Sequence, residues 1–208
     1  MIDVKKTVIV ITGYKGGVGK TITAIHLAGY FSTRRTNPLQ TLLVDGDGNR
    51  SAKTWGRDNL LPYRVVTEKE MIRYISQAQM VVFDTAALPQ SEDLVELAST
   101  ADLIILPTKP DSLSLHATLR AYSELPQTSL KKILICENPP APETDGEVLR
   151  QTLLAGKYEV FNTAIRRAKG FGLACDEGKL IKDIKHRSKK AWYDYEDLGK
   201  EIERILKS

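Results

Sequence analysis

The sequence predicts an α/β protein with a mostly parallel, twisted sheet and helices on both faces. Short runs of aliphatic and β-branched residues alternate with longer stretches of helical character, which is the pattern of strands joined by crossover helices. The runs are continuously apolar, as expected for strands that are buried on both faces. With 208 residues, of which 42% are hydrophobic, the chain is long enough to bury a sizeable core.

The apolar runs and the helical periodicity place each element along the chain. Five runs predict strands at residues 7–12, 40–45, 79–84, 102–107 and 132–136, with a weaker strand at 158–161 and an edge strand at 63–66. Helices are predicted at residues 20–32, 68–76, 91–99, 112–124, 146–154, 163–174 and 188–207. Residues 138–143, "NPPAPE", predict a surface loop because proline fits neither a helix interior nor a central strand. No linker divides the chain, so residues 1–208 are expected to form a single domain.

The net charge of +4 is modest, but its distribution is uneven. Residues 179–190, "KLIKDIKHRSKK", hold six basic residues and one acid, which gives this basic segment a net charge of +5. The rest of the chain therefore carries about −1. The six basic residues are Lys179, Lys182, Lys185, Arg187, Lys189 and Lys190.

No stretch of the sequence predicts a targeting or membrane segment. The first apolar run, at residues 8–11, is too short for the core of a signal peptide, and no run reaches the length of a membrane span. Cys136 and Cys175 lie far apart without metal-ligand spacing, so they are expected to be reduced residues of a cytosolic protein.

A glycine-rich loop follows the first predicted strand. Its sequence, "YKGGVGKT" at residues 14–21, resembles the phosphate-loop pattern G-x-x-x-x-G-K-[ST], although Tyr14 stands where the first glycine belongs. Glycines at 16 and 17 allow backbone N–H groups to surround phosphates at the start of a helix. Lys20 is expected to reach the β- and γ-phosphates, and the Thr21 hydroxyl to ligate magnesium. The alternative is a glycine-rich turn with two solvated lysines, which chance produces in about one such chain in 10⁴.

Three acids follow predicted strands. Asp84 ends "MVVFD", while Asp45 and Asp47 close "TLLVDGD". The carboxyl ends of parallel strands meet at one edge of a sheet, where ligands of open α/β folds bind. We expect Asp45 and Asp84 to organise magnesium and Asp47 to orient the hydrolytic water. Each aspartate alone could instead be a turn former or a helix cap.

These motifs resemble the ParA/MinD family of deviant-Walker ATPases, and the ParA branch in particular. The loop at residues 15–21 is similar to the deviant Walker A motif, "VDGDGNRSAKTW" to Walker A′, and "VVFDTAA" to Walker B. The resemblance implies a P-loop NTPase fold, ATP and Mg²⁺ as cofactors, and adenine contacts near Asn138 and Arg166. The residues implied to hold ATP in the loop are Lys15, Gly16, Gly17, Val18, Gly19, Lys20, Thr21 and Ile22.

The resemblance gives the second loop lysine a role. In the family, the lysine of the K-G-G element reaches the nucleotide of a partner subunit, which implies that Lys15 acts in trans within an ATP-dependent homodimer. Lys15, Lys20 and Asp47 are then the expected catalytic residues. The family's A′ block commonly reads D-x-D-P-Q, whereas Gly48 and Asn49 follow Asp47 here, so we expect slow hydrolysis.

The basic segment and the C-terminal tail indicate possible surfaces. Under the resemblance, residues 179–190 bind non-specific DNA through phosphate contacts that a dimer doubles; the alternative is a solvated basic helix end. Leu198, Ile202, Ile205 and Leu206 lie on one helical face, as in the membrane helix of MinD relatives. Residues 191–208 carry five acids and three bases, which favours docking on the core and no membrane partner.

The expected function is that of a ParA-type ATPase that positions a cargo by cycling on and off DNA. The cargo would be a plasmid, a chromosome or a carboxysome-like body, and a ParB-like or equivalent adaptor would stimulate hydrolysis. Such a protein is expected to be cytoplasmic and nucleoid-associated. The alternatives are a MinD-like membrane switch, an iron–sulfur carrier related to nitrogenase reductase, and a tyrosine kinase of the same superfamily.

Overall fold

The computed structural model describes residues 6–86 and 91–207 and contains a six-stranded, fully parallel sheet. The strands are β1 (Thr7–Ile11), β2 (Thr41–Gly46), β3 (Arg64–Thr67), β4 (Met80–Thr85), β5 (Leu103–Thr108) and β6 (Lys131–Ile135). Their order is β3-β2-β4-β1-β5-β6, so β1 lies in the interior of the sheet between β4 and β5. The predicted parallel sheet is confirmed.

Eight helices accompany the described strands. They are α1 (Lys20–Thr33), α2 (Ser51–Trp55), α3 (Glu68–Met71), α4 (Ser91–Thr100), α5 (Ser112–Glu124), α6 (Asp145–Ala155), α7 (Gly170–Asp176) and α8 (Trp192–Ile205). Three 3₁₀ turns lie at Ile75–Gln77, Ile181–Asp183 and Arg187–Ala191.

Apolar side chains fill both faces of the sheet. Ile9 and Ile11 of β1 point to one face, where they pack in a cluster with residues of α1, α7 and α8. Val10 points to the other face, where the cluster includes residues of α4, α5 and α6. Helices therefore cover both faces, and this double burial explains why the strand sequences lack a polar alternation.

The register of the sheet brings acidic residues together at its carboxyl edge. Asp45 of β2 lies directly opposite Asp84 of β4, and Ile11 at the end of β1 also pairs with Asp84. The loop that follows β1 therefore begins beside Asp84 on the neighbouring strand and one strand away from Asp45. Crevices at this edge are the usual ligand sites of open α/β sheets.

The predicted helix at residues 163–174 is wrong over its first half. Residues 163–169 run alongside the end of β6: the Ile165 N–H donates to Ile135 O at 2.9 Å, and the Asn138 N–H donates to Ile165 O at 2.9 Å. These bonds satisfy the backbone in an extended path, so α7 begins only at Gly170. The weaker strand at 158–161 is reduced to one bridge between Ile133 and Val160.

Other boundaries were predicted less well than the strands. The helix expected at 68–76 ends at Met71 and is followed by a 3₁₀ turn, and the last helix is preceded by a 3₁₀ turn up to Ala191. The edge strand β3 is confirmed. The five-residue helix α2 was not predicted, because so short an element shows no helical periodicity.

The C-terminal helix packs on the protein itself, as predicted. Leu198 and Ile202 of α8 are fully buried, and Ile205 and Leu206 are partly buried against the same cluster. This apolar face therefore contacts the core. Within the described ranges, no helix is long and apolar enough to cross a membrane.

The crossing of α1 and α8 depends on a glycine. A Cβ atom on Gly199 would lie 2.2 Å from two carbons of the Tyr30 ring, and Tyr30 is itself buried. The Tyr30 ring is rigid and cannot move aside as the end of a flexible side chain can. The two helices would therefore have to move apart.

We therefore expect Gly199→Ala to lower the free energy of unfolding by about 1–3 kcal/mol. Gly172→Ala is the matched control: Gly172 also lies in a helix, but a Cβ there meets nothing within 4 Å. That change should leave the melting temperature unaltered or raise it. Thermal unfolding of the two variants measures the difference, and equal melting temperatures would contradict the close crossing.

Candidate functional site

The glycine-rich loop joins β1 to the start of α1. Gly17 (φ 73°) and Gly19 (φ 102°) adopt left-handed conformations that other residues rarely accept. A Cβ on Gly16 or Gly17 would meet no atom within 4 Å, so the loop surrounds open space. The fourteen-residue helix α1 begins there and directs its positive end towards that space. This geometry suits a phosphate chain.

The two loop lysines occupy different environments. Lys20 is only 7% exposed, and its ammonium donates to the backbone oxygen of Lys15 at 2.9 Å. Burial lowers the pKa of Lys20, while the nearby carboxylates of Asp84 and Asp47 oppose that shift. A buried cation with a single hydrogen-bond acceptor gains from an anion in the loop.

Lys15 points outward, towards the start of α5. Its ammonium lies 3.6 Å from a carboxylate oxygen of Asp111, and its side chain is 35% exposed. Asp111 also caps α5 by accepting a hydrogen bond from the Ser114 N–H at 2.8 Å. Its bonds with Ser114, and then the charge of Lys15, lower the pKa of Asp111. A half-exposed pair of this kind is weak, so Lys15 is available for other partners.

Tyr14, which replaces the first glycine of the usual pattern, connects the loop to α5. Its hydroxyl donates to the Glu124 carboxylate, and the Arg120 guanidinium lies 5.1 Å from the centre of its ring. Arg120 in turn donates to Glu124 at 2.9 Å. The substitution therefore gives the loop a side-chain contact that a glycine could not make.

Asp84 is a buried carboxylate whose described neighbours include the Lys20 ammonium and the Thr21 hydroxyl. It is fully buried, and neither of its oxygens has a hydrogen-bond partner among the described residues. Burial raises the pKa of Asp84 to about 7; the neighbouring Thr21 and Lys20 lower it, and Asp45 raises it. When this carboxylate is ionised, a nearby cation stabilises it.

Asp45 and Asp47 are held by their own loop. One oxygen of Asp45 accepts from the Asp47 N–H at 3.1 Å, and the other accepts from the Lys53 N–H at 2.8 Å inside α2. A carboxylate oxygen of Asp47 accepts from the Asn49 N–H at 2.9 Å. The turn through Gly48 and Asn49 therefore closes on Asp47, and Asp45 acts as a cap for α2.

The residues around Asp84 fit a magnesium ion. Thr21, Asp45 and Asp84 offer the hard oxygen donors that Mg²⁺ prefers, and the orphaned Asp84 carboxylate leaves a charge to be neutralised. The described residues contain no group of three or more His, Cys, Asp or Glu side chains arranged to hold a metal alone. A magnesium ion here would therefore share phosphate oxygens and water, as is usual for this ion.

A pocket of about 290 Å³ adjoins the loop, between the β6 edge and α7. Arg166 lines it, and its guanidinium donates to both oxygens of Asp194 at 2.8 and 2.5 Å. Asn138 turns instead towards α6, where its side-chain oxygen occupies the space of a Cβ on Gly146. The two predicted adenine contacts are thus backbone neighbours, but only Arg166 lines the pocket.

Apart from Arg166, Gly19 and Ile22, which the resemblance implied, the residues of this pocket carried no signal in the sequence. Gly19 and Ile22 of the loop lie on one side, and Cys136, Ile165, Phe171 and Tyr195 come from three distant segments. Burial raises the pKa of the Cys136 thiol to about 12, so it stays neutral. Only the folded chain brings these apolar surfaces beside the phosphate loop, where a base of a nucleotide would lie.

The basic segment, residues 179–190, does not form one helix and its side chains point in different directions. Lys179 pairs with Glu177 at 2.8 Å, and Lys182 donates to the Thr33 hydroxyl at 2.6 Å while lying 4.5 Å from the Trp192 ring centre. The alternative of a solvated basic helix end therefore does not describe Lys179 and Lys182, whose ammonium groups contact the protein. Four members are exposed: Lys185, Arg187, Lys189 and Lys190.

A parallel sheet with a glycine-rich loop after its central strand and carboxylates on adjacent strand ends defines a phosphate-loop nucleotide-binding protein. Residues 9–206 match the CobQ/CobB/MinD/ParA nucleotide binding domain, and the chain belongs to this family of ATPases. It is 28% identical over 207 residues to the maintenance of carboxysome distribution protein A of Gloeobacter kilaueensis, covering 95% of this chain and 94% of that protein.

Solved structures share the fold. An ATP complex of a Cyanothece McdA variant matches with a TM-score of 0.70 at 12% identity, covering 95% of this chain and 96% of that one. The MinC:MinD complex of Aquifex aeolicus matches with a TM-score of 0.69 at 18% identity, covering 92% and 94%. At these identities the likeness shows the fold alone.

The raised pKa of Asp84 has a defined consequence for stability. Its folded pKa of about 7 lies above the ordinary 3.8, so its contribution is fully present below pH 3.8 and is lost as the pH rises through 7. In protein free of nucleotide and metal, the stability of Asp84→Asn relative to the unchanged protein should therefore increase by up to about 4 kcal/mol between pH 4 and pH 8. Urea unfolding in EDTA measures this difference; a difference independent of pH would contradict it.

Proposed function

We propose that this ATPase is a ParA-type switch, in which ATP joins two copies into a dimer that binds non-specific DNA and positions a cargo. The proposal rests on the different environments of the two loop lysines. Lys20 is buried within its own loop, whereas Lys15 lies at the rim of the loop and, among the described residues, forms a weak ion pair with Asp111. Lys15 can therefore leave Asp111 for the phosphates held by a second copy.

The proposed mechanism assigns one role to each polar group. Lys20 and the backbone N–H groups of residues 16–20 bind the β- and γ-phosphates, and the Thr21 hydroxyl, Asp45 and Asp84 hold Mg²⁺. When bound, Mg²⁺ supplies positive charge that offsets the charge developing on the phosphates. Asp47 orients the attacking water through its second carboxylate oxygen, while the first accepts from the Asn49 N–H. Lys15 of the second copy adds positive charge that ADP would attract less.

The base-binding part of the site is proposed from the pocket beside the loop. Ile22 and Phe171 offer apolar surface to a purine ring, and Arg166 offers its edge while remaining paired with Asp194. Asn138 contributes indirectly, since its backbone pairs with the chain at Arg166 and so positions Arg166.

DNA, an adaptor and a cargo are proposed as partners. The exposed members of the basic segment provide phosphate contacts without a base-reading motif, and a dimer doubles them. The relative that maintains carboxysome distribution supports a cargo-positioning role; the cargo is a plasmid, a chromosome or a carboxysome-like body, and a ParB-like or equivalent adaptor stimulates hydrolysis. Under this proposal the protein acts in the cytoplasm, on the nucleoid.

A MinD-like membrane switch is the second candidate because MinD shares the fold. A membrane helix would have to expose its apolar face, but Leu198 and Ile202 are fully buried against the core. The described residues therefore favour the DNA-binding switch.

The dimer can be tested with Lys15→Ala. In a saturating non-hydrolysable ATP analogue, the unchanged protein should sediment as a dimer and the variant as a monomer, because the variant lacks the charge that bridges the two copies. Its affinity for the analogue should fall less than tenfold, since Lys20 is retained. Lys69→Ala, an exposed lysine on α3, is the matched control and should dimerise normally. A monomer for the unchanged protein would overturn the proposal.

DNA binding can be tested with the double change Lys189→Ala and Lys190→Ala. Binding to a random duplex should require the ATP analogue and should weaken with salt. Removing two phosphate contacts in each copy should reduce the slope of log affinity against log salt by about 2 per protomer. Dimerisation measured in parallel should not change. An unaltered slope would place the DNA surface elsewhere.

A further inference from the structure

The basic segment lies against both helices that follow the catalytic loops. Helix α1 starts at the phosphate loop, and α2 starts just after Asp45 and Asp47. Neither contact was visible in the sequence, because the basic segment lies about 125 residues beyond the end of α2.

His26 of α1 makes the first contact. It is fully buried; its Nδ1–H donates to Ile22 O at 2.8 Å, and its Nε2 accepts from the Ile181 N–H at 3.1 Å. The ring stacks on Tyr195 at 4.9 Å, and Trp55 meets its edge at 5.6 Å. Burial lowers the pKa of His26 to about 4, so the ring is neutral and both nitrogens are used. His26 thus joins the first turns of α1 to the backbone of the basic segment.

The same face of α1 meets the basic segment at two further turns. Gly29 leaves room for the Leu180 side chain, whose methyl carbons would lie 2.7 Å from a Cβ at that position. Thr33 accepts from the Lys182 ammonium at 2.6 Å. Gly29 lies three residues after His26, and Thr33 lies four residues after Gly29, so all three contacts fall on one stripe of the helix.

Trp55 makes the contact from α2. Its indole N–H donates to Lys179 O at 3.0 Å, and the side chain is only 3% exposed. Helix α2 is in turn capped by Asp45, which accepts from the Lys53 N–H at 2.8 Å. A candidate magnesium ligand is therefore connected to the basic segment through one short helix.

We propose that His26 and Trp55 are positioning residues that couple the nucleotide site to the basic segment. This inference rests on the proposed function, but it adds a coupling within each copy to the avidity that dimerisation provides. A ligand at Lys20 and Asp45 fixes the starts of α1 and α2, and the two buried hydrogen bonds carry that order to residues 179–184.

Hydrogen exchange on the unchanged protein tests the coupling directly. Amides of residues 179–184 should exchange at least threefold more slowly with Mg²⁺ and a non-hydrolysable ATP analogue than without nucleotide. The same protection should persist in Lys15→Ala, which is expected to bind nucleotide as a monomer. Protection that vanishes in Lys15→Ala would show that dimerisation alone acts on the segment and would overturn the inference.

Three conservative variants, two at His26 and one at Trp55, separate coupling from packing. The amide oxygen of His26→Gln reaches the position of Nε2 and can accept from Ile181, whereas His26→Asn can replace only the Nδ1 bond. His26→Asn and Trp55→Phe should each weaken DNA binding of the dimer at least fivefold and abolish the nucleotide-induced protection of residues 179–184, while His26→Gln retains both. Nucleotide affinity and dimerisation should stay within twofold in all three.

The outcomes distinguish this inference from the proposed function. If the unchanged protein dimerises and binds DNA, but the Asn and Phe variants behave like it, only the coupling is wrong. If the unchanged protein binds no DNA in any nucleotide state, the proposed function fails, while protection at residues 179–184 would still support the coupling. A variant that unfolds is identified by its melting temperature. In that case hydrogen exchange on the unchanged protein and on Lys15→Ala decides whether the coupling exists.

Discussion

The buried carboxylate of Asp84 is the constraint on which the site depends. It lies at the carboxyl edge of the sheet beside Asp45, without a hydrogen-bond partner among the described residues. Lys20 offsets part of this charge, but Lys20 is itself desolvated and bound to a single carbonyl oxygen. The site therefore holds charges that water does not reach and that the described protein groups satisfy only in part. A phosphate chain with a magnesium ion would supply one anion for Lys20 and one cation for Asp84, which is the ligand that the proposed function assigns to this site.

The environment of each lysine follows from its place on the loop. Lys20 is the first residue of α1, and its side chain turns back under the loop, where burial fixes it. Lys15 precedes the left-handed glycines and remains at the rim, where its contact with Asp111 is half exposed. An exposed ion pair is worth at most about 1 kcal/mol. A terminal phosphate in a site without water would attract the same ammonium more strongly, because the effective dielectric is lower there. This difference in burial supports the proposal that Lys20 binds the phosphates of its own copy and that Lys15 responds to those of a second copy.

Sequence reasoning reached the parts of the site that are local in the chain. The phosphate loop and the acids at the ends of β2 and β4 are contiguous motifs, and the register placed Asp45 beside Asp84 as expected. It failed for residues whose conformation is set by contacts with distant segments of the chain. Arg166 sits in a stretch with helical periodicity, but backbone bonds to the end of β6 and the pair with Asp194 hold it extended. The positive charge of residues 179–190 could be counted from the sequence, but the orientation of Lys182 could not. Lys182 is oriented by Thr33, 149 residues before it, and by Trp192, ten residues after it.

Helix α1 connects the phosphate loop with the basic segment. Ten of its fourteen residues are buried, on several sides of the helix, so its sequence reads as apolar all round. Such a helix is packed against the sheet, α8 and the basic segment at once, and a close-packed interior leaves it little freedom to tilt alone. Its first residues hold the phosphate lysine, and its last turn holds Lys182 through Thr33. Order imposed on α1 at the phosphate loop is therefore also imposed on its last turn. The buried hydrogen bonds of His26 and Trp55 are then enough to connect the nucleotide site with the basic segment.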